Sequence, residues 1–359
     1  MKNGYSVWLD TLRVFATLVV VFSHLAYPRF SEGRYSWFRD LNFGSDAVIV
    51  FFVVSGSVIA YAADRDKTLL TYAFNRLTRL WSVMIPALIL TYSFDFLGFT
   101  IDPNAYPSQF YHQHDALTLF LRGVSFSNEF DFPGRIRLGT NGPLWSLSYE
   151  AAYYVCFGIA VFIRGLPRVF LLIVTFAIFG PRILMLAPSW VLGVWLWNTI
   201  KKPTFRLGLY VGWIFAISPL ILYVLCLWIE IPRFLTQLTV NDLGIPYPKR
   251  VLGFSDEFIW NALVGVLTSI HLLGMSRVLQ DMKLNCSVIR WAAGASFSIY
   301  VTHYPSLHLA DAIIPAGIPA RDFLLLGFAF LVGLSFAAAF ERNLHYIRAK
   351  LHQQKLRVI

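Results

Sequence analysis

"RVFLLIVTFAIFGPRILMLAPSWVLGVWLWNTI", from Arg168 to Ile200, is the stretch on which the fold turns. It reads either as one long apolar helix or as two helices folded back at Gly180-Pro181-Arg182. Proline and glycine break helices, which favours the hairpin. The choice also sets the side of the membrane on which every later connection falls. With a hairpin there are ten spans, and both chain ends share one side. The inside segments after it then hold Lys201, Lys202, Arg206, Arg277, Lys283, Arg290, Arg342, Arg348, Lys350, Lys355 and Arg357, eleven basic residues, against Arg233, Lys249, Arg250 and Arg321, four, outside. Removing one span would invert that asymmetry, against the tendency of Lys and Arg to stay on the cytoplasmic side.

Composition agrees with a membrane protein. The 359 residues are 57% hydrophobic and 14% charged, with a mean hydropathy of +0.59. A soluble domain sits near 45–50% apolar and about 25% charged. The net charge of +10 does not indicate nucleic acid, because the basic residues cluster between apolar segments rather than on one face.

The expected fold is therefore an all-α integral membrane bundle of ten helices with cytoplasmic termini. The spans are approximately 8–28, 44–63, 80–101, 144–163, 168–181, 183–200, 207–229, 256–274, 291–310 and 322–341, each compared with the roughly 20 residues that cross a bilayer. The first is expected to be a retained helix, since Arg13 interrupts its apolar run and "AYPRF" follows in place of a cleavage site. Residues 1–341 form the membrane domain, and 342–359 a basic cytoplasmic tail lying at the inner surface. The outside segment 102–143 is too long for a bare connection and is expected to be functional or partly re-entrant. Cys156, Cys226 and Cys286 are scattered and odd in number, so no disulfide is expected.

Ionisable residues at membrane depth are expensive and point to function. In "LDTLRVFATLVVVFSH" (9–24), Arg13 and His24 are eleven residues apart, about 20° short of or past whole turns, so they share a face while lying about 16 Å apart along the axis. "NRLTRLW" (75–81) sets Arg76 and Arg79 one turn apart, either as membrane-surface anchors or as guanidinium forks for phosphate. "GSDAVIVFFVVSGSVIAYA" (44–62) carries Asp46 near its outer end and Ser55-Gly56 within, a pair that allows close helix packing. In "NGPLWSLSYEAAYY" (141–154), Pro143 and Trp145 mark a helix entry at the outer interface, and Glu150 falls inside the span. "GASFSIYVTHYPSLHL" (294–309) holds His303 with Tyr300 one turn earlier, and His308 further on. His112, His114 and Asp115 in "YHQHD" lack further ligands at a metal-site spacing, so no metal is expected.

Together these motifs resemble the membrane acyltransferase-3 family, over nearly the whole chain and in order. "LDTLRVFATLVVVFSH" is similar to its first-helix signature, an arginine eleven positions before the essential histidine. "AVIVFFVVSGSVIA" resembles the FF-x-x-SG motif, "NRLTRL" the R-x-x-R before the third helix, and "GPLWSLSYE" the WSL-x-x-E motif. "SFSIYVTHYP" resembles the ninth-helix serine, tyrosine, histidine and proline signature, and "FER" the closing acid of the last helix. The chain departs from the family with Ser57 after the SG pair and Ile49 two positions before FF, leaving Asp46 as the nearest acid.

The resemblance implies a stand-alone O-acetyltransferase of the bacterial inner membrane, with cytoplasmic acetyl-CoA as donor. The implied acceptor is a sugar hydroxyl of an exopolysaccharide or other surface glycan, polymeric or lipid-linked. On that reading Arg13, Arg76, Arg79 and Ser55 bind the donor, and Asp46, Trp145 and Tyr300 line the acceptor site. His24 acts as general base or acyl carrier, with Glu150 or His303 orienting it. Membrane lipids are the other expected partner. Two other readings stay open at this point: a proton-coupled glycan transporter or flippase, and acyl transfer onto a small natural product.

Overall fold

The computed structural model describes residues 3–106, 115–284 and 286–342. The described residues contain helices, turns and no strand. The ten longest helices, numbered in chain order, are α1 (Asn3–Leu25), α2 (Phe43–Ala63), α3 (Leu69–Ile101), α4 (Trp145–Phe162), α5 (Leu166–Phe179), α6 (Pro181–Ile200), α7 (Leu209–Trp228), α8 (Phe258–Val278), α9 (Ser296–Ile313) and α10 (Arg321–Phe336). The 168–200 stretch does turn back at its glycine-proline pair. α5 ends at Phe179, Gly180 adopts φ +81°, and Pro181 opens α6. A positive φ suits glycine, and proline fits the first turn of the next helix.

Seven of these helices, α1, α2, α3, α6, α7, α8 and α10 with its terminal π turn, are long and apolar enough to cross a membrane. The ten-span expectation exceeds that number. Segments 144–163, 168–181 and 291–310 fall on α4, α5 and α9, for definite reasons. α5 has only 14 residues. α4 carries Glu150 and a series of serines and tyrosines, while α9 carries His303, His308 and Asp311. Third-segment helicity also begins earlier than residue 80. Thr68 caps α3 by accepting from the Thr71 N–H at 3.1 Å, adding the turns that hold Arg76 and Arg79.

α9 is the centre of the bundle. It packs against α1, α3 and α10, and nearly every residue from Ser296 to Ala310 is buried. α7 lies at the periphery, burying Gly212, Ala216 and Pro219 while Leu220, Ile221 and Val224 face outward. An outward apolar surface of this kind is what a lipid environment selects. α2 and α6 approach so closely that a Cβ on Gly56 would fall 2.0 Å from the Trp190 carbonyl oxygen, and one on Gly193 2.0 Å from that of Val53. Small residues permit this spacing, as the Ser55-Gly56 pair suggested.

The connection from α3 to α4 folds inward. After the short helix Ala116–Val124, residues 125–144 enter the bundle and are fastened by side chains. Asp95 of α3 accepts from the Thr140 N–H at 2.8 Å and from its hydroxyl at 2.5 Å. Asn141 Nδ2 donates to Thr91 Oγ1 at 2.9 Å and to the Val301 carbonyl at 2.8 Å, tying the loop to α3 and α9. Gly139, at φ +59°, has no room for a Cβ, which would meet Asp95 Oδ2 at 2.3 Å. His112, His114 and the tail from 343 onward lie outside the described residues, while Asp115 is exposed and caps the Ala116–Val124 helix.

Candidate active site

Two cavities lie on opposite sides of a narrow wall, and α1 contributes to both. The first, of about 140 Å3, is reached by Arg13, Ser55, Arg79, Glu150, Tyr154 and Tyr300. Arg13 lies within electrostatic range of Arg79, Asp10, Glu150 and Glu341, so two guanidinium groups face a common space with acids around them. Glu150 Oε1 accepts from the Tyr154 hydroxyl at 2.6 Å and from Ser55 Oγ, and the Trp190 N–H donates to Ser55 Oγ at 3.3 Å. Glu341, on the π turn after α10, accepts from the Ser298 N–H at 2.9 Å and its hydroxyl at 2.7 Å.

The second cavity, of about 410 Å3, is lined by His24, Tyr27, Asn128, Glu129, Arg137, Asn141, Trp145 and Tyr304 among others. Trp145 stacks on Phe254, with ring centroids 4.4 Å apart and planes 5° from parallel. Burial pushes the Glu129 carboxyl above its ordinary value, opposed by Arg135, whose Nε donates to it at 2.8 Å. The buried Oδ1 atoms of Asn128 and Asn141 accept no hydrogen bond from the described residues. Buried amide oxygens without donors are uncommon, and these two belong to side chains that line the cavity.

The histidine tautomers follow from their neighbours, as assigned from the hydrogen-bond network. His303 Nδ1 lies 2.6 Å from the Tyr300 carbonyl and 3.2 Å from that of Ile299, so it carries the proton and donates. His24 Nδ1 lies 2.9 Å from the Val20 carbonyl and must donate as well. His303 Nε2, left as an acceptor, sits 3.2 Å from His24 Nδ1. His24 Nε2 therefore keeps its lone pair, in the ring that lines the second cavity.

Between the cavities stand Tyr300, Ser146 and Pro143. The Tyr300 hydroxyl is 2.6 Å from Ser146 Oγ and donates toward the Pro143 carbonyl at 3.2 Å. Tyr300 and Ser146 line the first cavity, Pro143 the second.

The sequence-derived residues thus divide. Arg13, Ser55, Arg79, Glu150 and Tyr300 meet in the first cavity, and His24 and Trp145 in the second, with His303 behind His24. Glu150 does not orient His24, since its described partners are Ser55 and Tyr154. Arg76 does not line the first cavity; it pairs with Asp66 at 3.6 Å and lies 5.7 Å from the Tyr72 ring. Asp46 is in neither cavity. Its carboxylate accepts from Tyr223 at 2.6 Å and Trp260 at 2.9 Å, at the wall of a separate apolar cavity. Asn128, Arg137, Asn141, Tyr154 and Tyr304 were not singled out from sequence. The outside segment 102–143 gave the only hint of the first three, because its length does not reveal which side chains turn inward.

Compared with known families, residues 6–340 match the acyltransferase domain of the acyltransferase-3 family. An O-acetyl transferase of Shigella phage Sf6 is 30% identical over 155 residues, which is 42% of this chain and 45% of the phage protein. The chain thus spans about half the length of the curated relative it matches. No solved structure matches. Because the family match takes in α1 through α10 and both cavities, the chain belongs to the acyltransferase-3 family.

Proposed function

We propose that the protein is a membrane O-acetyltransferase that moves an acetyl group from cytoplasmic acetyl-CoA to a hydroxyl of a surface glycan, such as an exopolysaccharide. The observation that carries this is the unengaged His24 Nε2, in a cavity with two unsatisfied amide acceptors, back to back with an arginine-lined one. A base with an available lone pair beside hydroxyl-accepting groups suits a polyhydroxylated acceptor. The phage relative carries the same transferase description.

On this reading the Arg13 end of α1 faces the cytoplasm of a bacterial inner membrane. Arg13 and Arg79 fit the donor's phosphates, because guanidinium groups bind phosphate oxygens through paired N–H donors. The thioester supplies the activated acyl carbon, and its acetyl end passes Tyr300 toward His24. A sugar hydroxyl held by Asn128 and Asn141 loses its proton to His24 Nε2. Its oxygen forms the ester bond as the C–S bond breaks, and the imidazolium returns the proton to the departing thiolate. The Val20 carbonyl holds the ring in the tautomer this requires, and His303, accepting from the same Nδ1, helps fix its position.

The test is transfer by purified protein in sealed vesicles, with labelled acetyl-CoA on the Arg13 side and oligosaccharide on the other. His24→Ala is expected to lower turnover by about 10²–10⁴, the usual worth of a general base, while the protein still inserts and elutes as wild type. Glycan acetylation that survives at wild-type rate would refute the assignment. Glycan passage without release of CoA would instead identify a transporter.

A further inference from the structure

The connection from α1 to α2, residues 26–42, carries three arginines, and the structure treats them unequally. Arg29 pairs with Asp311 at 2.9 Å, and Arg34 pairs with Asp322. Arg39 has no carboxylate partner among the described residues. Its Nη1 donates to Ser23 Oγ at 3.2 Å and its Nη2 to the Tyr27 hydroxyl at 3.1 Å, with the guanidinium 3.9 Å from the Tyr27 ring centre. Ser23 immediately precedes His24, and Tyr27 lines the His24 cavity. Arg39 is therefore a half-buried cation, held rigidly by neutral groups, at the edge of that cavity.

A second guanidinium reaches the same place from the loop. Arg137 lines the cavity, donates to the Thr140 carbonyl at 3.1 Å and lies beside the Tyr304 hydroxyl. Arg39 and Arg137 are both within electrostatic range of His24. The acid in the cavity wall, Glu129, is already matched by Arg135. The region around the base is thus positive. In the orientation proposed above it is also on the outer side, where arginines run against the usual bias. Aromatic contact and fixed hydroxyl partners keep the Arg39 fork in one place, so its binding of an anion loses little side-chain entropy.

We infer that the acceptor carries an anionic group, a carboxylate or a phosphate, close to the hydroxyl that receives the acyl group, and that Arg39 and Arg137 form the subsite for it. The inference rests on the acyl-transfer reading and narrows its acceptor. Asn128 and Asn141 take neutral hydroxyls, and the two arginines take the charge. A uronic acid satisfies both within one sugar ring. A neutral sugar linked to a lipid diphosphate satisfies both with the phosphate supplied by the carrier.

The experiment compares three acceptors on the protein in nanodiscs: a neutral oligoglucoside, an oligoglucuronide of the same length, and a neutral disaccharide on a short polyprenyl diphosphate. Both kcat/KM for acetylation and equilibrium binding of each radiolabelled acceptor are read. Wild type is expected to favour one anionic acceptor over the neutral glycan by at least tenfold, and which one it is identifies the source of the charge. Arg39→Gln should shrink that preference at least tenfold, and Arg39→Lys should restore part of it. Equal use of charged and neutral acceptors by wild type overturns the inference, as does an Arg39→Gln effect of the same size on all three. If no acceptor is acetylated but the preferred anion binds at least tenfold more weakly to Arg39→Gln, the subsite stands and the transfer reading falls. If acetylation proceeds without charge preference, the transfer reading stands and the subsite falls.

Discussion

At the scale of single residues, two histidines at membrane depth show what separates structure from chemistry. His271 uses both ring nitrogens: Nδ1 donates to the Ala216 carbonyl at 2.7 Å, and Nε2 accepts from the Trp8 N–H at 3.1 Å. Among the described residues His24 uses only Nδ1, and its other nitrogen keeps a lone pair. The Val20 carbonyl fixes this tautomer, and His303, accepting from the same Nδ1, helps hold the ring in place, so it is a positioning residue. His303→Ala is expected to lower kcat by about ten- to a hundredfold, the scale on which small misplacements cost rate. KM for the donor should change little, and His303→Gln, which keeps an acceptor oxygen, should recover part of the loss. Steady-state kinetics on the three proteins checks this; a change confined to KM would contradict it. The polar residues themselves were legible in the sequence, because charge within an apolar run is conspicuous. Their pairing was not. Glu150 and His303 both looked able to serve His24, and only packing separates them, sending Glu150 to Ser55 and Tyr154.

Helices and loops show the same limit at the next scale. The R-x-x-R spacing placed Arg76 and Arg79 on one face of α3, and it was silent on what each would meet. In the fold Arg79 reaches the first cavity, whereas Arg76 pairs with Asp66, which also accepts from Asn75 Nδ2 at 2.7 Å. Arg79→Gln should therefore weaken donor binding by about 1.5–3 kcal/mol, the worth of a hydrogen bond to a charged group, or roughly ten- to a hundredfold in KM for acetyl-CoA. Arg76→Gln should shift that KM by less and lower thermal stability instead. Donor titrations with a melting curve for each variant distinguish the two, and equal KM effects would show that both arginines hold the donor. The 102–143 segment stood out by its length, and its residues 125–143 turn inward. Its inward course depends on contacts remote in sequence, Asp95 with Thr140 and Asn141 with Val301, which no local pattern encodes. The partners of Asp46 were hidden for a related reason. Tyr223 and Trp260, which donate to its carboxylate, lie far along the chain.

For the whole molecule, hydropathy located all the long helices and the hairpin at Gly180, since both follow from local composition. It overstated how many are apolar enough to cross unaided, because α4 and α9 trade apolar residues for the groups that line and separate the cavities. The orientation can be checked with the native cysteines. Cys286 is exposed, whereas Cys156 and Cys226 are half-buried. It precedes the short helix Ser287–Ala293, which packs on α1 toward the Arg13 end. With that end cytoplasmic, a membrane-impermeant maleimide should label Cys286 only after right-side-out cells are permeabilised; labelling of intact cells would invert the topology. The thin partition of Tyr300, Ser146 and Pro143 has a bioenergetic consequence. A membrane that stores a proton gradient loses it through any continuous aqueous bore. On the proposed reading, interrupting the path with hydrogen-bonded side chains would let a two-carbon fragment cross while the membrane stays electrically tight.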